Sequence, residues 1–146
     1  KKAYIINMKE QRAIMNEVIY EGSVYAIFGD TNEIDYGTTF FGSSEERLQF
    51  SALRYKKGKI FQNHIHKHRP RIIERTQESW VVLKGKARVF VSNENKKIIH
   101  EQAINAGQFF ISYKGGHGYE ILEDETIVVE NKLGDFIGVE EDKEKF

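Results

Sequence analysis

The sequence predicts an all-β protein, and three observations carry that reading. Aromatic and β-branched residues come in short runs, glycine, asparagine and charged residues cut those runs, and few runs are long enough for an ordinary helix. The expected strands are residues 23–28, 47–55, 60–67, 79–84, 87–92, 97–103, 108–112, 118–122 and 127–132. The polar run 92–97, Ser-Asn-Glu-Asn-Lys-Lys, reads as a hairpin turn, and Lys84-Gly85 as a second tight turn. Only residues 8–20 offer a helical alternative, with Ile14, Val18 and Ile19 at suitable offsets. Residues 141–146 are densely charged and are expected to be a solvated end or a contact arm. Short strands with almost no helix make a closed barrel or a sandwich.

The chain has 146 residues, enough for one domain around one core, and its 40% apolar and 30% charged content is ordinary for a globular protein. Lys plus Arg and Asp plus Glu both total 22, so no global field argues for nucleic acid or an anionic membrane as partner. The absence of cysteine excludes disulfides, thiolate metal sites and cysteine nucleophiles, and agrees with a reducing compartment. No run approaches the roughly 18 apolar residues of a membrane span. The opening apolar stretch is broken at Asn7 and Lys9, so no signal segment is expected and a cytoplasmic setting is.

The chemistry-bearing residues cluster around histidine. Gly58-Lys-Ile-Phe-Gln-Asn-His64-Ile-His66 sets two imidazoles two apart on an expected strand, which turns both to one face. Glu78 is followed by six residues and Gly85, and His117 follows the Gly115-Gly116 turn. A lone His-x-His is more often two polar residues facing solvent; Glu78 and His117 turn the balance toward a metal. Imidazoles with one carboxylate suit Fe(II), Mn(II), Ni(II), Zn(II) or Co(II) and leave positions open for substrate. Ile65, Trp80, Phe109 and Ile111 are expected to form the apolar support, with Phe110 in the core.

Alternation turns one of Tyr119 and Glu120 inward. An inward Tyr119 acts as an acid or hydrogen-bond donor, or packs as a core aromatic with its hydroxyl at the rim. Arg69, Arg71 and Arg75 crowd the segment before Glu78, either solvated or as a clamp for phosphate or carboxylate. His68 reads as exposed at the loop start, His100 as surface, and Lys132 as a snorkelling lysine at a strand end.

These spacings resemble the two motifs of the cupin superfamily. Gly58, His64, His66, Glu78 and Gly85 fill the first in order, and Gly107, Gly115 and His117 fill the second, with Tyr113 where proline is usual. Eleven residues separate His66 from Glu78, a longer gap than the family's, and the second turn is one residue short. The resemblance implies a single-domain cupin, a double-stranded β-helix or jelly-roll barrel. The barrel would cover residues 47–140, after an N-terminal extension 1–46 and before the charged tail. It also implies His64, His66, Glu78 and His117 as ligands of a divalent metal, although some epimerase-type and isomerase-type cupins keep these histidines without metal.

The stretches Gly115-Gly-His-Gly-Tyr-Glu120, Glu123-Asp-Glu-Thr126 and Glu130-Asn-Lys132 are similar to those of small bacterial cupins associated with surface-sugar biosynthesis. That likeness implies an isomerase or epimerase acting on a sugar nucleotide or sugar acid, an anionic small molecule. His117, Tyr119 and Glu120 would serve catalysis, and His68, Arg69, Arg71, Arg75 and Lys132 would serve substrate binding. An Fe(II) dioxygenase or hydroxylase and a non-catalytic ligand-binding module are the alternatives. A homodimer is expected by the same analogy, with residues 23–28 as the pairing strand.

Overall fold

The computed structural model describes residues 3–7, 15–135 and 137–146. The described residues form β1 (Tyr4–Asn7), β2 (Met15–Tyr20), β3 (Ser23–Asp30), β4 (Gly37–Phe41), β5 (Phe50–Arg54) and β6 (Glu78–Lys84). They continue with β7 (Lys86–Ser92), β8 (Ile98–Asn105), β9 (Gln108–Ser112), β10 (Gly116–Ile121), β11 (Ile127–Lys132) and one helical turn, α1 (Val139–Asp142). All pairing is antiparallel. One sheet runs β1-β2-β3-β9-β6-β11, a second β10-β7-β8, and β4 pairs β5 alone. The protein is all-β, and its sheets are not closed into a barrel.

Three successive apolar residues in β9 show why the large sheet lies in the middle. Strand side chains alternate, so Phe109, Phe110 and Ile111 are buried together only if both faces of the strand are covered. Phe110 packs with Ala26, Phe28, Trp80, Val82, Val89 and Val91 in the layer toward β10-β7-β8. Phe109 and Ile111 pack with Ile27, Phe41 and Tyr113 on the opposite face, under the β4–β5 hairpin. The Phe109 ring lies 4.6 Å from those of both Phe41 and Phe50. From Glu78 onward the strands divide between the two larger sheets: β6, β9 and β11 lie in one, and β7, β8 and β10 in the other.

The structure corrects several expectations. Residues 15–20 form β2 rather than part of a helix, and residues 8–14 lie outside the described residues. Residues 60–67 form no strand; they belong to an exposed segment without regular structure that runs from β5 to β6. Alternation alone does not make a strand, because its backbone groups need a partner and none of the described strands pairs with this segment. The strand expected over 47–55 is confined to Phe50–Arg54, and β4 lies in the N-terminal extension beyond the strand expected at 23–28. β3 is interior, with β2 and β9 on either side, so residues 23–28 offer no free edge to a second copy. The turn read at 92–97 does join β7 to β8, and Gly85 at φ +78° makes the tight turn between β6 and β7.

Candidate functional site

Register builds one side of the site. Ser112 lies across from Glu78, and Glu78 across from Lys132, giving a row over β9, β6 and β11. Two residues along each strand, on the same face, Phe110, Trp80 and Glu130 form a parallel row. Residues directly opposite one another in a sheet are close enough for their side chains to interact. The Trp80 indole N–H donates to Glu130 Oε2 at 2.9 Å, and Lys132 Nζ lies 3.3 Å from Glu78 Oε1 and 3.2 Å from Glu130 Oε1.

The opposing sheet supplies His117. The chain leaves β9 at Ser112, turns through Gly115 and Gly116, and enters β10, where His117 pairs with Val91. The turn requires glycine at 115 and leaves little room at 116. A Cβ on Gly115, at φ +72°, would lie 2.1 Å from the Ser92 carbonyl oxygen, and one on Gly116 would lie 2.5 Å from Ser92 Oγ. His117 thereby enters between Ser112 and Glu78. Its Nε2 lies 2.9 Å from Glu78 Oε2, its Nδ1 lies 2.9 Å from Ser112 Oγ, and its ring stands edge-on to Trp80 at 5.2 Å.

Glu78 is 2% exposed. Burial opposes its charged form, but the His117 hydrogen bond and the charges of His117, Lys132 and Lys143 outweigh that, and its carboxyl is held below the ordinary 4.5. The result is a buried carboxylate ringed by cationic groups at the wall of a cleft of about 990 Å³. Trp80 and Tyr119 line this cleft, their rings 4.6 Å apart, with Tyr119 46% exposed at its mouth. Residues 141–146 form another wall: Lys143 Nζ stands 3.9 Å from Glu78 Oε1, Asp142 Oδ1 accepts from Thr76 at 3.3 Å, and Glu144 pairs with Lys96. The charged segment is therefore a contact arm within the chain.

The expected site residues divide. Glu78, His117, Tyr119, Lys132 and Arg75 come to the cleft or its carboxylate. Glu120 points away and pairs with Arg88 at 3.3 Å, both largely exposed. His64, His66, His68, Arg69 and Arg71 lie in the exposed segment before β6; the His64 and His66 rings are 5.0 Å apart, and His64 Nδ1 contacts the nearby Gln62 carbonyl at 3.2 Å. Ile65, expected as apolar support, is 94% exposed, whereas Trp80, Phe109 and Ile111 are core. His100 is half-buried with its ring against Phe28, not on the surface.

Glu78 and His117 suit a divalent ion, with the Ser112 hydroxyl orienting the imidazole as outer partners of metal-bound histidines do. Among the described residues no three His, Asp or Glu side chains gather, so two of the four expected ligands meet and two stand apart. Ser112, Glu130, Lys143, Ser92 and Lys96 did not stand out as site residues in the sequence. The period-two spacing of Phe110 to Ser112, Trp80 to Glu78 and Glu130 to Lys132 was the available signal for the two rows. Comparison with protein-family models, with curated proteins and with solved structures gives no match for this chain. Among the described residues no helix is long and apolar enough to cross a membrane, which says nothing of strands.

Proposed function

We propose that this chain is a jelly-roll protein of the cupin kind, and that its cleft isomerises or epimerises a small anionic sugar derivative. The observation that carries the reading is the buried Glu78 carboxylate held against His117, with Tyr119 beside them on the same tryptophan. An ionised carboxylate kept in a largely buried position at a cleft wall is the kind of perturbed group that accompanies acid–base or metal chemistry. The division of β6 to β11 between two sheets supports the jelly-roll reading.

The proton work falls to the side chains that face the cleft. Tyr119 exchanges a proton with the substrate at its phenolic oxygen. With no metal bound, the Glu78–His117 pair accepts the proton that leaves one carbon and returns it to the neighbouring carbon, while Tyr119 gives its proton to the enediolate oxygen and takes it back, so the net proton count is unchanged. Trp80 offers an apolar wall for a sugar ring, and Glu130 fixes its indole. Glu120 takes no part, being engaged with Arg88 on the outer side.

A divalent ion would be held by Glu78 and His117, joined by His64 and His66, and would polarise a substrate oxygen. Joining them requires the segment 60–67 to close onto the cleft. The exposed Ile60, Phe61 and Ile65 favour such a docking, because closure would take their apolar surface out of water.

The test measures metal content and turnover together. Near-stoichiometric divalent metal that is lost in His64→Ala and in Glu78→Gln is the expected result, with deuterium exchange from solvent into a sugar-nucleotide substrate that stops in Tyr119→Phe. Iron with oxygen-dependent turnover would replace the isomerase with a dioxygenase. Ligand binding with no exchange into any sugar nucleotide or sugar acid would reduce the site to a binding module.

A further inference from the structure

The end of the cleft nearest the β7–β8 turn holds a polar group that the proposed chemistry does not use. Ser92 is 3% exposed and lines the cleft, and its hydroxyl is the one buried side-chain polar atom among the described residues without a hydrogen-bond partner. A buried hydroxyl left unpaired is costly and calls for an explanation. Its neighbours point to a ligand. A Cβ on Gly116 would meet Ser92 Oγ at 2.5 Å and the Phe146 ring at 2.7 Å, so hydroxyl and ring meet over the same bare glycine.

Lys96 stands beside them on a braced turn. Asn93 Oδ1 accepts from the backbone N–H groups of Asn95 and Lys97, and the Lys96 N–H donates to the Asn93 carbonyl. Asn93 is itself buried, so the lysine is offered from a fixed base. Its ammonium takes the Glu144 carboxylate at 2.5 Å and lies 5.9 Å from the centre of the Phe146 ring. Lysine and glutamate are both largely exposed, so water competes for each and the pair is readily displaced.

We infer that Lys96, Ser92 and the Gly115–Gly116 turn form an oxyanion subsite of the cleft, occupied in this structure by Glu144 and Phe146 in place of a ligand's carboxylate or phosphate. A ligand oxyanion takes the Glu144 position on Lys96 and satisfies the Ser92 hydroxyl once Phe146 lifts from Gly116. Residues 139–146 then act as a displaceable strap, and the anionic end of the substrate lies at this turn rather than among Arg69 and Arg71, which do not line the cleft. The inference deepens the proposed function and rests on its reading of the cleft as the ligand site.

Titrating the full chain with inorganic phosphate by amide NMR tests it without any turnover. Glu144→Gln removes the competing carboxylate and is expected to tighten phosphate binding severalfold. Lys96→Ala is expected to weaken it by about tenfold or more, the weight of one hydrogen bond to a charged group. Ser92→Ala is expected to weaken binding while leaving the free protein as stable or more so, a pairing that a purely structural serine would not produce.

Shift changes centred on residues 92–97 and 114–117 locate the ion. Phosphate affinity unchanged in Lys96→Ala, or lost in Arg75→Ala and kept in Lys96→Ala, overturns the subsite; so does a Glu144→Gln variant that binds no better than the parent. His117→Asn separates the two readings. Phosphate binding kept with turnover lost supports both, and phosphate binding absent while turnover depends on His117 removes the subsite alone.

Discussion

Replacing Glu78 by glutamine tests the centre of the site, because it keeps the shape and removes the charge. The carboxylate faces His117 at 2.9 Å, Lys132 at 3.3 Å and Lys143 at 3.9 Å. Breaking a fully buried ion pair costs about 3–5 kcal/mol when the remaining charge has nowhere to go. Here the two lysines and His117 are each partly exposed and turn to water. Glutamine also keeps one acceptor and no longer carries the desolvation cost of a charge. The loss is then nearer one charge-assisted hydrogen bond, about 1–3 kcal/mol at pH 7. For a chain of this length that lowers the melting temperature by roughly 2–10 °C.

The pH dependence gives the same substitution a second reading. The folded state holds the Glu78 carboxyl below its ordinary 4.5, so its contribution is fully present above that value. It fades as pH falls through the lower folded value, because protonation then removes the charge that the His117 hydrogen bond and the two lysines favour. Urea unfolding of parent and Glu78→Gln should differ most at neutral pH and converge progressively below pH 4.5. A variant equal to or more stable than the parent at pH 7 would refute the reasoning. It would mean that burying the carboxylate costs more than His117, Lys132 and Lys143 return.

Two further substitutions probe the core and the cleft apart. Phe109→Ala, beneath both Phe41 and Phe50, is expected to cost about 3–5 kcal/mol in urea unfolding, and a cost under about 1 kcal/mol would mean that the β4–β5 hairpin does not cover that face. Tyr119→Phe removes a hydroxyl at the cleft mouth, so stability should stay within about 0.5 kcal/mol. Its turnover should fall by about 10²–10⁴ if the phenol carries the proton, and unchanged turnover would free Tyr119 of that role.

The all-β class was legible because short β-branched and aromatic runs report directly on strand formation. The runs at 79–84, 87–92, 108–112 and 127–132 all lie in strands within a residue or so of their expected ends. Residues 8–20 misled for a physical reason. Val18 and Ile19 are both buried, and two successive inward apolar residues break the period of two and mimic one face of a helix. The register shift between them lets both contribute to the core from one strand, a bulge that local pattern cannot distinguish from a helical turn. Segment 60–67 misled in the opposite way. The spacing of His64 and His66 suggested one strand face, but a strand exists only where a neighbour accepts its hydrogen bonds, and that is a property of the whole fold.

The site shows the same limit more sharply. Glu78 and His117 were chosen from motif spacing, and they do meet, yet spacing says nothing of why. They meet because the β6–β9 register puts Glu78 opposite Ser112 and the β7–β10 register carries His117 in from the other sheet. A one-residue slip in either pairing would turn one of them to the far face. Lys132 becomes a partner of Glu78 by the β6–β11 register alone. Lys143, from beyond the last strand, reaches the same carboxylate only because residues 139–146 pack back over the cleft. The sequence therefore names the acid and the imidazole, while the cations that keep the acid ionised are set by one register and one returning segment. A reading from motifs alone places a metal at Glu78. The fold adds that lysines already stand there, so any ion that binds must displace or share with Lys132 and Lys143, and its affinity should rise when either is replaced by methionine.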